Sequence, residues 1–95
     1  MQLARVIGSV VSTRKEASMT GLKFLLVRPL DEAGQEIGSP LVAVDAVDAG
    51  LHEVVLFATG SSARQTEATR DRPCDAVIMG IVDSWDVMGE RKYKK

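Results

Sequence analysis

Six adjacent residues, GSSARQ from Gly60 to Gln65, place a glycine, two hydroxyls and an arginine directly after the apolar run VVLFAT. Several chemistries use such a set, and each can be weighed. A serine nucleophile would sit in G-x-S-x-G, but Arg64 stands where the second glycine belongs. Its base would have to be His52, the only histidine, which lies in a turn beside Glu53. A triad needs base and orienting carboxylate placed together, and a turn histidine is more often simply solvated. A phosphate cradle would use free N–H groups at a helix start. The P-loop pattern of two spaced glycines and a lysine is absent, and helix capping explains the serines without a ligand. The spacing Ser62-x-x-Gln65 fits a capping box. One histidine and one cysteine cannot build a structural zinc site, so no metal and no cofactor is expected. Cys74, between Pro73 and an apolar run, reads as a small packed residue. The carboxylates are scattered near turns and strand ends, with no pair arranged for acid–base work.

The elements that position these residues follow from the apolar pattern. QLARVIGSVVST is rich in β-branched residues without helical period and predicts a strand. Both of its faces are largely apolar, Ala4, Val6, Gly8 and Val10 against Leu3, Ile7 and Val11, which suits a strand covered on both sides. LKFLLVRPL, LVAVDAV and VVLFAT predict three more, separated by polar or glycine-rich connectors. GSSARQTEATR predicts one short helix capped by Ser61 or Ser62, ended by DRP. CDAVIMGIVDSWDV predicts a last long strand. Gly8 and Gly80, inside the first and last strands, predict bulges or sharp bends. Five strands with such bends and one short helix argue for a mostly all-β fold, a small five-stranded barrel of the oligonucleotide-binding type.

The chain has 95 residues, 45% of them hydrophobic and 26% charged, which bounds it to one globular domain. A domain this size buries a limited core, and association with copies of itself would help cover its apolar strand faces. The lone cysteine excludes an internal disulfide and suits a reducing cytosol. No leader segment is expected at the start, and no apolar run reaches the roughly 20 residues that cross a bilayer. A net charge of −1 gives no global basic field for nucleic acid. The other reading of this barrel type, a module for single-stranded nucleic acid, lacks a basic groove, and Phe24 and Phe57 fall within apolar strands. The charge is uneven, however. The last six residues, ERKYKK, hold four of twelve basic and one of thirteen acidic residues, leaving eight against twelve elsewhere. Residues 1–89 therefore read as a single barrel domain and 90–95 as a basic tail, either a solvated terminus or a contact segment for an acidic neighbour.

Five segments, MQLARVIGSVVSTRK, GLKFLLVRPLD, VAVDAVDAG, GSSARQ and DAVIMGIVD, occur in an order and spacing that resembles the bacterial microcompartment vertex proteins. These are the pentameric shell proteins of carboxysomes and of ethanolamine- or propanediol-type compartments. The resemblance runs from Met1 to about Asp83. It implies a cytoplasmic, non-enzymatic shell component whose partners are its own copies, in a closed homopentamer, and hexameric shell proteins, with neither nucleic acid nor membrane. Sheets of hexagonal tiles cannot close, and fivefold units supply the curvature. Carried over, Gly60, Ser61, Ser62, Ala63 and Arg64 would border a small central pore, read as mainly structural. Arg5, Arg14 and Arg28 are candidates for contacts between subunits or with the shell. One departure stands out: the family's GAGxGE turn reads DAGLHE, with Asp48 and His52 in place of glycines that take φ > 0 cheaply. Aspartate tolerates that region better than most residues. The SWDVMGERKYKK extension is expected to vary within the family and to offer WDV and KYK to a neighbour's edge.

Overall fold

Valine, isoleucine and leucine runs fit a pleated surface. In the computed structural model of the chain, which describes residues 1–13, 15–72 and 74–95, they pair into a closed barrel. Its strands are β1 (Gln2–Val10), β2 (Phe24–Leu30), β3 (Leu41–Asp45), β4 (Val54–Thr59) and β5 (Ala76–Ile81). The order around the barrel is β1-β2-β3-β5-β4, and β4 closes it by pairing with β1. Neighbours are antiparallel except β3 and β5, which run parallel through two residue pairs, Val44 with Val77 and Asp45 with Ile78.

Both mid-strand glycines mark irregularities, as the pattern predicts. The β1–β2 register slips between Val6 and Gly8, and the β4–β5 register slips where Gly80 faces Leu56 and Ile78 faces Phe57. Neither glycine is there for want of room. An added Cβ would meet Leu26 at 3.9 Å from position 8 and Leu56 at 3.8 Å from position 80, ordinary contact distances. Their contribution is the bend that lets a short sheet close on itself.

Two expectations need correction. The long last strand is divided: β5 ends at Ile81, and Ser84–Val87 form a separate strand, β6. The Val82 N–H still donates to the Val54 carbonyl at 2.8 Å, and the chain then leaves the barrel. β6 pairs with β7 (Glu90–Lys94) as an independent two-stranded ribbon. The short helix is a 3-10 turn, Gly60–Arg64, and a second 3-10 turn spans Ala17–Met19.

The barrel core is built from small and β-branched side chains around one large ring. Ala4, Val6, Val27, Val55 and Ile78 surround Phe57. A second cluster, Val44, Ala58, Ala63 and Val77, seals the end beneath the Gly60–Arg64 turn. Ala4 and Val6 are the buried residues of β1. Leu3 and Ile7 are half-buried, and Val11, Val42, Leu51 and Leu56 are exposed, so the double coverage expected from the sequence is not completed within one chain.

Candidate assembly site

The Gly60–Arg64 turn is shaped by three local devices. Gly60 takes φ +63, which glycine adopts without Cβ strain, and its N–H donates to Asp75 O at 2.9 Å. Ala63 is fully buried in the cluster at the barrel end. Arg64 Nη1 donates to Cys74 O at 3.3 Å, clipping the turn to the approach of β5. Ser61, Ser62 and Arg64 remain exposed. The serines do not cap. Thr59 occupies the cap position with no side-chain bond, and the Gln65 N–H donates to Ser62 O at 3.2 Å. The capping box expected from Ser62 and Gln65 is therefore unformed. With Ala63 pinned in the core, five residues close as a tight 3-10 turn, and both hydroxyls are left to solvent.

The segment that follows is tied down from outside the barrel. The Arg72 guanidinium donates to Ser18 O at 3.2 Å and Thr20 O at 2.9 Å, joining this segment to the first 3-10 turn. Thr69, fully buried, shares a 2.6 Å hydrogen bond with Thr66. Cys74 packs half-buried against the Ala58–Val77 cluster, with its Sγ 3.8 Å from Ala63 O, as a packed thiol.

His52 and the serines lie at opposite ends of β4, roughly 20 Å apart at ~3.3 Å per residue. No hydrogen bond joins them among the described residues, so a serine–histidine pair is not assembled. The DAGLHE turn keeps the left-handed geometry that glycine would favour: Asp48 has φ 60 and His52 φ 73. Two contacts of the turn hold it. The His52 N–H donates to Val6 O at 2.9 Å, and its carbonyl accepts from Arg5 at 2.8 Å. Upstream, the buried Asp45 carboxylate accepts from Val47 N at 3.1 Å and Ala49 N at 2.9 Å. Lys23 reaches Asp45 at 3.3 Å and Asp48 at 3.0 Å, and the hydrogen bonds to Asp48 and then Asp45 raise its pKa. Asp45 is one of the carboxylates that the pattern expects at solvated strand ends; its burial differs from that, because a single aspartate at a strand end carries no mark of it.

Of the candidate contact arginines, Arg5 is engaged within its own chain, lying 6.0 Å from the Tyr93 ring centroid as well as bonding His52. Arg28 faces Glu36 at 3.8 Å, and its Nε is buried without a hydrogen-bond partner among the described residues. Arg14 lies outside the described residues. The basic tail is not frayed. WDV lies in β6, KYK lies in β7, and they pair with each other. Trp85 and Tyr93 stack with centroids 5.0 Å apart, and Trp85 Nε1 donates to Glu32 O at 2.8 Å. Lys95 Nζ meets Glu53 at 2.6 Å, which lowers the Glu53 pKa and raises that of Lys95. The Gly50 N–H, bonding the same carboxylate, lowers Glu53 further.

A closed five-stranded barrel with a hydroxyl-bearing turn at one end and exposed apolar positions on its wall defines the class, a small all-β barrel. The chain belongs to the family described as "Ethanolamine utilisation protein EutN/carboxysome", whose model matches residues 1–83. It is 52% identical to the carboxysome shell vertex protein CcmL of Gloeobacter violaceus over 95 residues, all of this chain and 95% of the relative. It is 47% identical to the bacterial microcompartment shell vertex protein PduN of Salmonella typhimurium, covering 88% of this chain and 97% of that one. The solved structure of Gloeobacter violaceus CcmL superposes with TM-score 0.95 over 100% of this chain and 98% of the other. The GrpN pentameric microcompartment shell protein of Rhodospirillum rubrum, 45% identical, superposes with TM-score 0.83 over 92% of this chain and 100% of the other.

Proposed function

We propose that five copies of this chain form a closed ring that caps the vertices of a polyhedral microcompartment shell in the bacterial cytoplasm. Its role is structural rather than enzymatic. Hexameric shell proteins are its neighbours in the shell. Gly60, Ser61, Ser62, Ala63 and Arg64 border the fivefold axis, where small residues let five turns approach and the two serines give a polar rim. The observation that carries this reading is likeness over the whole chain to shell vertex proteins, one of them solved as a pentamer. The exposed Val42, Leu51 and Leu56 add to it, since a neighbouring copy would cover them.

The deciding experiment is native mass by light scattering after size exclusion. A species of five times the 10.2 kDa chain mass is expected. A stable monomer at micromolar concentration would sink the proposal, because a vertex cap requires the ring. The pore reading has its own test. Replacing Ser61 and Ser62 by alanine is expected to leave metabolite passage through assembled shells unchanged. A permeability change with closure intact would make the rim a selective gate instead.

A further inference from the structure

The ribbon formed by β6 and β7 offers the kind of surface that the barrel lacks. A closed barrel leaves only short stretches of strand edge, whereas a two-stranded ribbon keeps an outer row of N–H and C=O groups on each strand. Its place is fixed by the Trp85 bond to Glu32, the Trp85–Tyr93 stack and the Lys95–Glu53 pair. The molecule is correspondingly long, 46 Å against 23 and 22 Å in the other directions. β7 carries the charge. Lys92 is paired with Glu90 at 3.1 Å and Lys95 with Glu53, while Arg91 and Lys94 are exposed and form no ion pair among the described residues.

We propose that the free edge of β7 is a docking strand for an acidic, extended segment of another protein, added as a third strand of the ribbon. Backbone bonds supply the attachment, and Arg91 and Lys94 select the charge of the incoming strand. The same cations discriminate against a second copy of β7, since like charges facing across a strand pair repel. The aromatic pair favours a polypeptide over nucleic acid. Single-stranded nucleic acid needs free aromatic faces, and here Trp85 and Tyr93 stack on each other with Arg5 beside Tyr93. The proposal goes beyond the vertex role and needs no ring. Where a ring forms, five ribbons would bind a repeated acidic segment with avidity.

The test uses the full chain and a fluorescein-labelled peptide of alternating glutamate and threonine, about ten residues long, enough for one strand. Saturable anisotropy at low salt is expected, with amide shifts confined to residues 84–95. Arg91→Glu combined with Lys94→Glu should weaken binding by about tenfold or more. Trp85 emission checks that the ribbon of that variant is intact. A second arm leaves the protein untouched: the same peptide, N-methylated at alternate residues, keeps its charge, loses strand donors and should bind far less. The idea is overturned by equal binding of the N-methylated peptide, of a lysine–threonine peptide, or of the acidic peptide by a folded double variant. Oligothymidine outcompeting the acidic peptide overturns it too, as does no binding at low salt.

Discussion

The barrel and the ribbon are two β structures stabilised in opposite ways. Every barrel strand has two neighbours, and the inward faces of all five strands share one buried cluster around Phe57. Each ribbon strand has one neighbour, and its aromatic pair reaches the barrel through Leu3, Leu30, Val54 and Val82. The barrel is held by burial distributed over many small side chains. The ribbon depends on a few identifiable contacts at its base, because an isolated hairpin is marginal in water. The family match ends at residue 83, just after the last barrel strand, so the part described by the family model is the part that closes on itself. Cooperativity should divide at the same place, between a unit that melts as one and an appendage that opens on its own.

The strongest way to break that contrast is Phe57→Ala. Truncating the one large core ring is expected to cost about 3–5 kcal/mol and to lower exchange protection in all five barrel strands together. Urea unfolding and amide exchange would check it, and loss confined to β4 would deny a single cooperative core. Trp85→Ala comes next. Loss of a half-buried indole and its bond to Glu32 should cost about 2 kcal/mol, read as lost protection over 84–94 with barrel protection unchanged. A matching fall in the barrel would mean that the ribbon is part of its core.

The Glu53–Lys95 pair sharpens the comparison by pH. Glu53 has a lowered pKa, so its contribution is complete above the ordinary glutamate value and is lost as pH falls through the lowered one. Lys95 has a raised pKa, so its contribution is complete below the ordinary lysine value and is lost only as pH rises through the raised one. The latch should hold across neutral pH and release in acid. A transition in Trp85 emission, present in the parent chain and missing in Glu53→Gln, would report it. The smallest effect is a gain. His52→Gly relieves the cost of a left-handed backbone at a residue with a Cβ, and should stabilise by about 0.5–1 kcal/mol in thermal unfolding.

Much of the barrel is legible in the sequence. VVLFAT is β4 to the residue, and Gly8 and Gly80 stand at the two register slips, because strand pattern and bend are local properties. The DAGLHE turn is half legible: its departures from glycine fall on two residues that keep positive φ, but the partners that hold them, Val6 and Arg5 for His52 and Lys23 for Asp48, lie far along the chain. The serine turn misleads. Its composition suits a cap, and only the burial of Ala63 shows why the hydroxyls point elsewhere. The ribbon was obscured by its turn. Met88 and Gly89 both take positive φ between paired Val87 and Glu90, a job usually marked by Asn-Gly. Without that mark, SWDV reads as a continuation of β5.

The parallel seam between β3 and β5 has a consequence for the order of events in folding. Two residue pairs join strands separated in sequence by all of β4 and the Gly60–Arg64 turn. Closing so long a loop for so little pairing is entropically unfavourable until other contacts exist, so the hairpin of β1 and β2 should form early and the seam last. The serine turn lies inside that loop. Its final position is therefore set by the last step, and a chain that has not closed its barrel cannot present a finished turn to its neighbours. In the proposed ring, a completed subunit would therefore be admitted and an unfinished one left out.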